Sequence, residues 1–244
     1  YWLVSRARSS NEYYSIQVTS NGVSNIPISS ITGGAGNMAV SDEAQLRFSP
    51  SGYKIAHTLI NSYTSSPFNR LELFDFDRTN GVLSHVLDFS PPSGASSPWF
   101  NHFEFAEFSP SGRYLYSRFF ASLLTGNSIV QYDLQAGSNS AIANSGILVP
   151  NTGGSVNYGF PRRGPDNRIY WTGANAVSTF LHIIHNPNLP APNSSFQSNA
   201  INIGRAVGGG LPSFINAAIA NHSITFSDSC ATNTIDFSMV DTNF

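Results

Sequence analysis

One phrase occurs twice in this chain and constrains everything it can fold into. Phe48-Ser49-Pro50-Ser51-Gly52 leads into Tyr53-Lys54-Ile55-Ala56-His57, and sixty residues later Phe108-Ser109-Pro110-Ser111-Gly112 leads into Arg113-Tyr114-Leu115-Tyr116-Ser117. A third, degraded copy follows fifty-five residues on, where Gly164-Pro165-Asp166-Asn167 leads into Arg168-Ile169-Tyr170-Trp171. A unit recurring at such a period indicates a repeat architecture. In each copy an apolar run ends near a Pro that sets φ. A Gly or Asn then supplies the positive φ of a tight turn, and a second apolar run follows. Each copy is therefore a predicted β-hairpin.

Downstream of each hairpin comes a second pair of strand-like runs. After the first copy these are residues 70–76 and 82–87, joined through Asn80-Gly81, a strong short-range hairpin signal. After the second they are 128–133 and 142–149, joined by a Gln135-Ala136-Gly137 turn. After the third, 180–186 is clear and 200–203 is weak. Four antiparallel strands per unit make one blade of a β-propeller. Residues 1–6, 13–19 and 23–28 read as the second to fourth strands of a blade whose first strand is missing. The expectation is all-β: a β-propeller fragment of about four four-stranded blades from a larger ring of roughly seven. It occupies residues 1–220, with further blades expected before Tyr1.

After Ala220 the character of the sequence changes. Gly208-Gly209-Gly210-Leu211-Pro212-Ser213-Phe214-Ile215 reads as an exit from the propeller. A strand at 223–226 and the alternating Ile235-Asp236-Phe237-Ser238-Met239 then read as the first strands of an immunoglobulin-like sandwich over 221–244.

Composition narrows the function classes. Charged residues are 11% of the chain, against roughly 25% in ordinary globular proteins, and Lys54 is the only lysine. The 37 Ser and 24 Asn meet solvent with neutral polar groups instead. A net charge of −2 leaves no electrostatic footprint for nucleic acid or an anionic membrane, and the Arg162-Arg163 pair is too small to supply one. No apolar run is long enough to span a bilayer. Cys230 stands alone, which removes any internal disulfide and any multi-thiol metal site.

Taken together, several phrases resemble one family. They are Tyr1-Trp2-Leu3-Val4-Ser5 with Tyr14-Ser15-Ile16-Gln17-Val18-Thr19-Ser20-Asn21-Gly22-Val23, the Ser-Pro-Ser-Gly hairpins, and Leu73-Phe74-Asp75-Phe76-Asp77 before a Gly turn. Gly164-Pro165-Asp166-Asn167-Arg168-Ile169-Tyr170, His185-Asn186-Pro187-Asn188 and Gly210-Leu211-Pro212-Ser213-Phe214-Ile215 complete the set. In this order they resemble the WD40-like propeller region of large Bacteroidota cell-surface proteins. In those proteins the propeller precedes immunoglobulin-like or PKD domains and a sorting signal for type IX secretion, often in connection with gliding motility. The resemblance implies an extracellular place at the bacterial cell surface and an architecture more than a reaction. The family's N-terminal blades and its sorting signal are not among these residues.

Several local patterns invite sharper readings. Asp75-x-Asp77-x-Thr79-Asn80-Gly81 resembles the start of a calcium loop, but Val86 stands where the twelfth-position acid belongs. The Asn-Gly hairpin explains the run better. His182 and His185 fall on opposite faces of a strand and cannot jointly hold one metal. His102 and Glu104 would share a face near Glu107, where hydrogen bonding is the expected role. Gly33-Gly34-Ala35-Gly36 and Gly208-Gly209-Gly210 lack the Lys-Ser or Lys-Thr of a phosphate cradle. Asn193-Ser194-Ser195 and Asn221-His222-Ser223 match the N-glycosylation pattern by composition alone. A Gly-x-Ser-x-Gly elbow is absent from the sequence.

The sequence thus assigns no catalytic, cofactor-binding or metal-binding residue and calls for no cofactor. The favoured class is a non-catalytic surface module, a scaffold or binding disc for adhesion, gliding or surface assembly. Its contacts would use rim residues such as Trp99-Phe100-Asn101. Its expected partners are other domains of the same chain, surface or secretion proteins, or glycans, with no nucleic acid and no direct membrane insertion. The alternative is a propeller that binds or degrades polysaccharide at the channel mouth.

Overall fold

A computed structural model of the chain describes residues 1–8, 10–33, 45–59, 70–92, 102–122, 126–150, 158–173, 178–206, 210–211, 222–229 and 234–241. The first sheet holds β1 (Trp2–Arg6), β2 (Glu12–Thr19), β3 (Gly22–Val23) and β4 (Ile28–Ile31). Both β3 and β4 pair with β2, at Val18–Thr19 and at Glu12–Ser15 respectively. They share one strand position, interrupted at 24–27, where Ser24 Oγ turns the chain by bonding to Ile26. The sheet thus fills three blade positions, as expected, with its outer strand running on to Ile31.

The second sheet matches the sequence reading closely: β5 (Gln45–Phe48), β6 (Lys54–Leu59), β7 (Arg70–Phe76) and β8 (Leu83–Asp88) pair in that order. The third holds β9 (His102–Phe108), β10 (Tyr114–Ser122), β11 (Gly126–Asp133) and β12 (Ile147–Leu148), with the helix α1 (Asn139–Ala143) between its last two strands. This helix corrects the strand expected over 142–149. Ser138 caps it by accepting the Ala141 N–H at 3.2 Å, and Ile142 and Ala143 turn inward. The fourth sheet holds β13 (Tyr158–Arg163), β14 (Ile169–Gly173), β15 (Phe180–Ile184) and β16 (Phe196–Asn202). Its weakly signalled last strand thus starts earlier than expected.

The repeated turn is built twice in the same way. Gly52 donates to Ser49 O and Gly112 to Ser109 O, each at 2.9 Å, and both glycines sit at φ +74°. Ser49 and Ser109 also accept from the first N–H of the returning strand, that of Lys54 and of Tyr114. In the third copy Asn167 takes the left-handed position at φ +64°, the conformation that Asn tolerates best after Gly.

Successive sheets stack face to face. Tyr13, Trp2 and Val4 of the first pack on Ile55, Phe74 and Phe76 of the second. Leu71 and Leu73 of the second meet Phe103, Leu115 and Phe119 of the third. Tyr114, Tyr116 and Ile129 of the third meet Ile169, Trp171 and Ile184 of the fourth. Alternate residues of β10 therefore serve opposite neighbours, the two-sided burial of a blade inside a stack. β17 (His222–Ser229) and β18 (Thr234–Asp241) form an antiparallel hairpin, Phe226 opposite Phe237. It contains both expected strands of the tail, but a hairpin alone does not make an immunoglobulin-like sandwich, which needs two sheets. Among the described residues no helix is long and apolar enough to cross a membrane.

Candidate functional site

Counted from the turn proline, His57 on β6 corresponds to Ser117 on β10 and Thr172 on β14. Their cross-strand partners are Glu72, Val130 and Leu181. A His–Glu pair thus stands where the other copies place a small hydroxyl beside an aliphatic side chain. Tyr13, from the neighbouring sheet, brings its hydroxyl 2.9 Å from His57 Nδ1 and 3.4 Å from Glu72 Oε2. His57 Nδ1 lies 3.7 Å from Glu72 Oε2, and all three side chains are sealed from solvent. Burial pushes the imidazole below its ordinary pKa, against the opposing pull of Glu72. Burial, then the Glu72 charge, raises the Tyr13 phenol, so it stays protonated and able to donate. The charge of Arg6 also acts on both groups. Its Nε and Nη2 are buried with no hydrogen-bond partner among the described residues.

A β-bulge extends this cluster toward solvent. Phe74 pairs with His85 and Leu73 with Leu87, leaving Val86 as the extra residue. On a regular strand His85 and Asp88 would face opposite ways, and the bulge re-aims them to one side. Asp88 then stands directly opposite Glu72. One ligand-type atom from each of Glu72, His85 and Asp88 lies within 4.8 Å of the other two. His85 Nε2 is 3.0 Å from Asp88 Oδ1, while Arg70 Nη1 donates to Asp88 Oδ2 at 3.0 Å.

A second bulge acts on the carboxylates near the second hairpin. Phe105, at φ +28°, is skipped between the pairs Glu104–Arg118 and Ala106–Ser117. Glu104 and Glu107 therefore share a face. Glu104 forms an ion pair with Arg118. Glu107 lies 3.4 Å from Arg47 Nε and accepts the backbone N–H groups of Arg163 and Phe108. Burial raises its carboxyl above the usual range, opposed by Arg47 and Arg163. Gln45 Oε1 accepts the Ala106 N–H in the same manner, at 2.8 Å. Side chains of one blade's first strand thus satisfy backbone donors on the first strand of the next. The side chain of His102 lies outside the described residues.

The remaining sequence patterns resolve locally. Asp75 bonds Lys54 at 2.7 Å, Asp77 Oδ1 accepts from Thr79 N, and Asn80 Oδ1 accepts from Val82 N. That is a stabilised hairpin, the reading preferred over calcium. His182 is buried and accepts from Asn199 N, whereas His185 is half-buried and meets Gln197 Oε1, so the two do point apart. Gly33 sits at φ +95°. Residues 34–36, 99–101, 208–209 and Cys230 lie outside the described residues. The sequence reading missed Tyr13, His57, Glu72, His85 and Asp88 as a group. The available signal was a titratable His–Glu pair at positions that the other repeat copies fill with hydroxyl and aliphatic residues.

The four stacked four-stranded sheets define the class of fold, the β-propeller. No known protein-family description matches the chain, and no curated protein does. Among solved structures it is similar to a 6-phosphogluconolactonase candidate from Bacteroides uniformis, at 16% identity and TM-score 0.49, over 83% of this chain and 52% of that one. It is similar to TolB from Acinetobacter baumannii at 15% identity and TM-score 0.46, over 96% of this chain and 47% of that one. The periplasmic gluconolactonase PpgL of Pseudomonas aeruginosa gives 13% identity and TM-score 0.49, over 98% and 68%. The chain spans about half the length of the first two. Likeness at this level concerns fold alone, and the fold assignment rests on the sheets themselves.

Proposed function

We propose that this chain is a non-catalytic propeller module of a secreted bacterial cell-surface protein, a stiff scaffold or binding disc for adhesion, gliding or surface assembly. One observation carries the reading: buried and half-buried polar side chains fasten blade to blade. Gln45 and Glu107 join first strands, Ser30 and Thr32 of the first blade accept from Leu83 N and His85 N of the second, and Gln131 grips the 187–191 loop of the fourth. Groups engaged in this way stiffen a stack and are not free for turnover. The resemblance to Bacteroidota surface proteins supports the extracellular location, the type IX route and a division into 1–220 and 221–244. Partners on this reading are further domains of the same chain, surface or secretion proteins, or glycans, and no cofactor takes part.

The polysaccharide-degrading alternative draws on Glu104 and Glu107, two carboxylates on one face, as glycoside hydrolysis requires. Both are about 5% exposed and engaged with arginines, so a sugar cannot reach them without opening the blade. A reducing-end assay of the purified protein over a polysaccharide panel decides between the two. The expected result is no release. Release that vanishes in a folded Glu104→Gln variant would overturn the scaffold reading.

A further inference from the structure

We propose that Glu72, His85 and Asp88 bind one divalent transition-metal ion, with Zn²⁺ the best match, at the interface of the first two blades. This goes beyond the scaffold reading and does not depend on it. Three linked features of the chain lead there.

The first is register. Glu72 and Asp88 are directly opposed on neighbouring strands, and like charges so placed repel. The second is the bulge at Val86, which turns His85 and Asp88 to the same side as Glu72; bulges occur at sheet edges, as β8 is, and beside active sites, where they re-aim side chains. The third is the departure from the repeat, since the His57–Glu72 pair replaces Ser117–Val130 and Thr172–Leu181 of the later copies.

The donor set selects the ion. One imidazole nitrogen with two carboxylate oxygens suits zinc, whereas calcium takes six to eight oxygens. Zinc bonds of about 2.0–2.2 Å put tetrahedral ligands roughly 3.3 Å apart. His85 Nε2 and Asp88 Oδ1 already stand 3.0 Å apart, and the whole triplet lies within 4.8 Å. Closure requires ligand separations to shorten by up to about 1.5 Å. Arg70 holds Asp88 by Oδ2, the oxygen not directed at His85, and so orients the ligand while reducing the net negative charge.

Behind the site, Tyr13 and His57 approach the buried end of Glu72. Such outer partners fix a metal-ligating carboxylate in place. Because Tyr13 belongs to the first blade and the ligands to the second, the site lies against the neighbouring blade. Three protein ligands leave a fourth position to solvent on the open side, where His85 and Asp88 are 27% and 41% exposed.

The test uses the whole chain, stripped with a chelator and titrated with ZnCl₂ by calorimetry, with Co²⁺ absorption as a second readout. The expected result is one zinc per chain, bound at least tenfold more weakly by His85→Gln and by Asp88→Asn, both partly exposed changes that the fold tolerates. The Co²⁺ visible bands weaken in the same two variants, and His185→Gln leaves zinc binding unchanged. Absence of stoichiometric zinc binding by the unmodified chain would overturn the proposal, as would affinity in either variant equal to that of the unmodified chain.

Discussion

Gly81 shows how much can rest on one missing side chain. A Cβ there would lie 2.5 Å from Cζ3 of Trp2, on a backbone at φ +77°. The indole is held by its own bond to Arg78 O and packs edge-on to Phe76. Gly81→Ala combines left-handed strain with overpacking and is expected to cost about 3 to 4 kcal/mol. Gly137→Ala, at φ +112° with open space around it, costs about 1 to 2 kcal/mol, and denaturant midpoints compare the two. The turn role of Gly81 was legible from Asn80-Gly81; its contact with Trp2, 79 residues away, was not, because nothing local encodes it. His182 makes a pH prediction. Burial lowers its pKa to about 4, so it adds stability above the ordinary histidine value near 6.5 that is lost as pH falls toward 4. His57 acts in the same direction, and the raised Glu107 acts oppositely below its folded value. Unfolding free energy should drop from pH 7 to pH 5, and His182→Gln, which keeps an acceptor for Asn199 N, should narrow that drop.

At the scale of elements, hairpins were the readable part, because Pro-Ser-Gly and Asn-Gly turns announce themselves within four residues. Helix α1 was not readable: five residues are too few to show helical periodicity, and Ile142, Ile147, Leu148 and Val149 together imitate a strand. Its physical cause is the Ser138 cap with two residues buried between the second and third blades. Ser138→Ala is therefore expected to cost about 1 kcal/mol, measured by equilibrium denaturation, with amide-exchange protection lost first over 139–145. The two bulges were equally silent. A bulge is a property of a strand pair, and neither β8 nor β9 carries a local mark at Val86 or Phe105. Yet these bulges create two carboxylate groupings among the described residues, at Glu72–Asp88 and at Glu104–Glu107. The sequence thus revealed the scaffold strands while hiding which side chains they bring together.

At the scale of the molecule, the core clusters among the described residues join each of the four blade sheets to its neighbour in sequence, so stability is a sum of blade terms and interface terms between neighbours. Gln131 is a buried polar tie between the third and fourth blades. Its Nε2 donates to Tyr116 Oη at 2.6 Å and to Leu189 O at 2.8 Å, and its Oε1 accepts from Ala191 N at 2.8 Å. Tyr116 in turn donates to Pro187 O. Gln131→Leu fits the space but leaves Ala191 N and Leu189 O without these partners, at a cost of about 2 to 4 kcal/mol. In a nearest-neighbour stack that loss falls on one interface and leaves the Tyr13–Phe74 and Leu71–Phe119 contacts untouched. Hydrogen exchange should then show β14 and β15 opening at lower free energy while β6 and β7 keep their protection. A uniform loss over all four blades would instead mean that the sheets unfold as a single cooperative unit and that the interface terms are shared around the molecule.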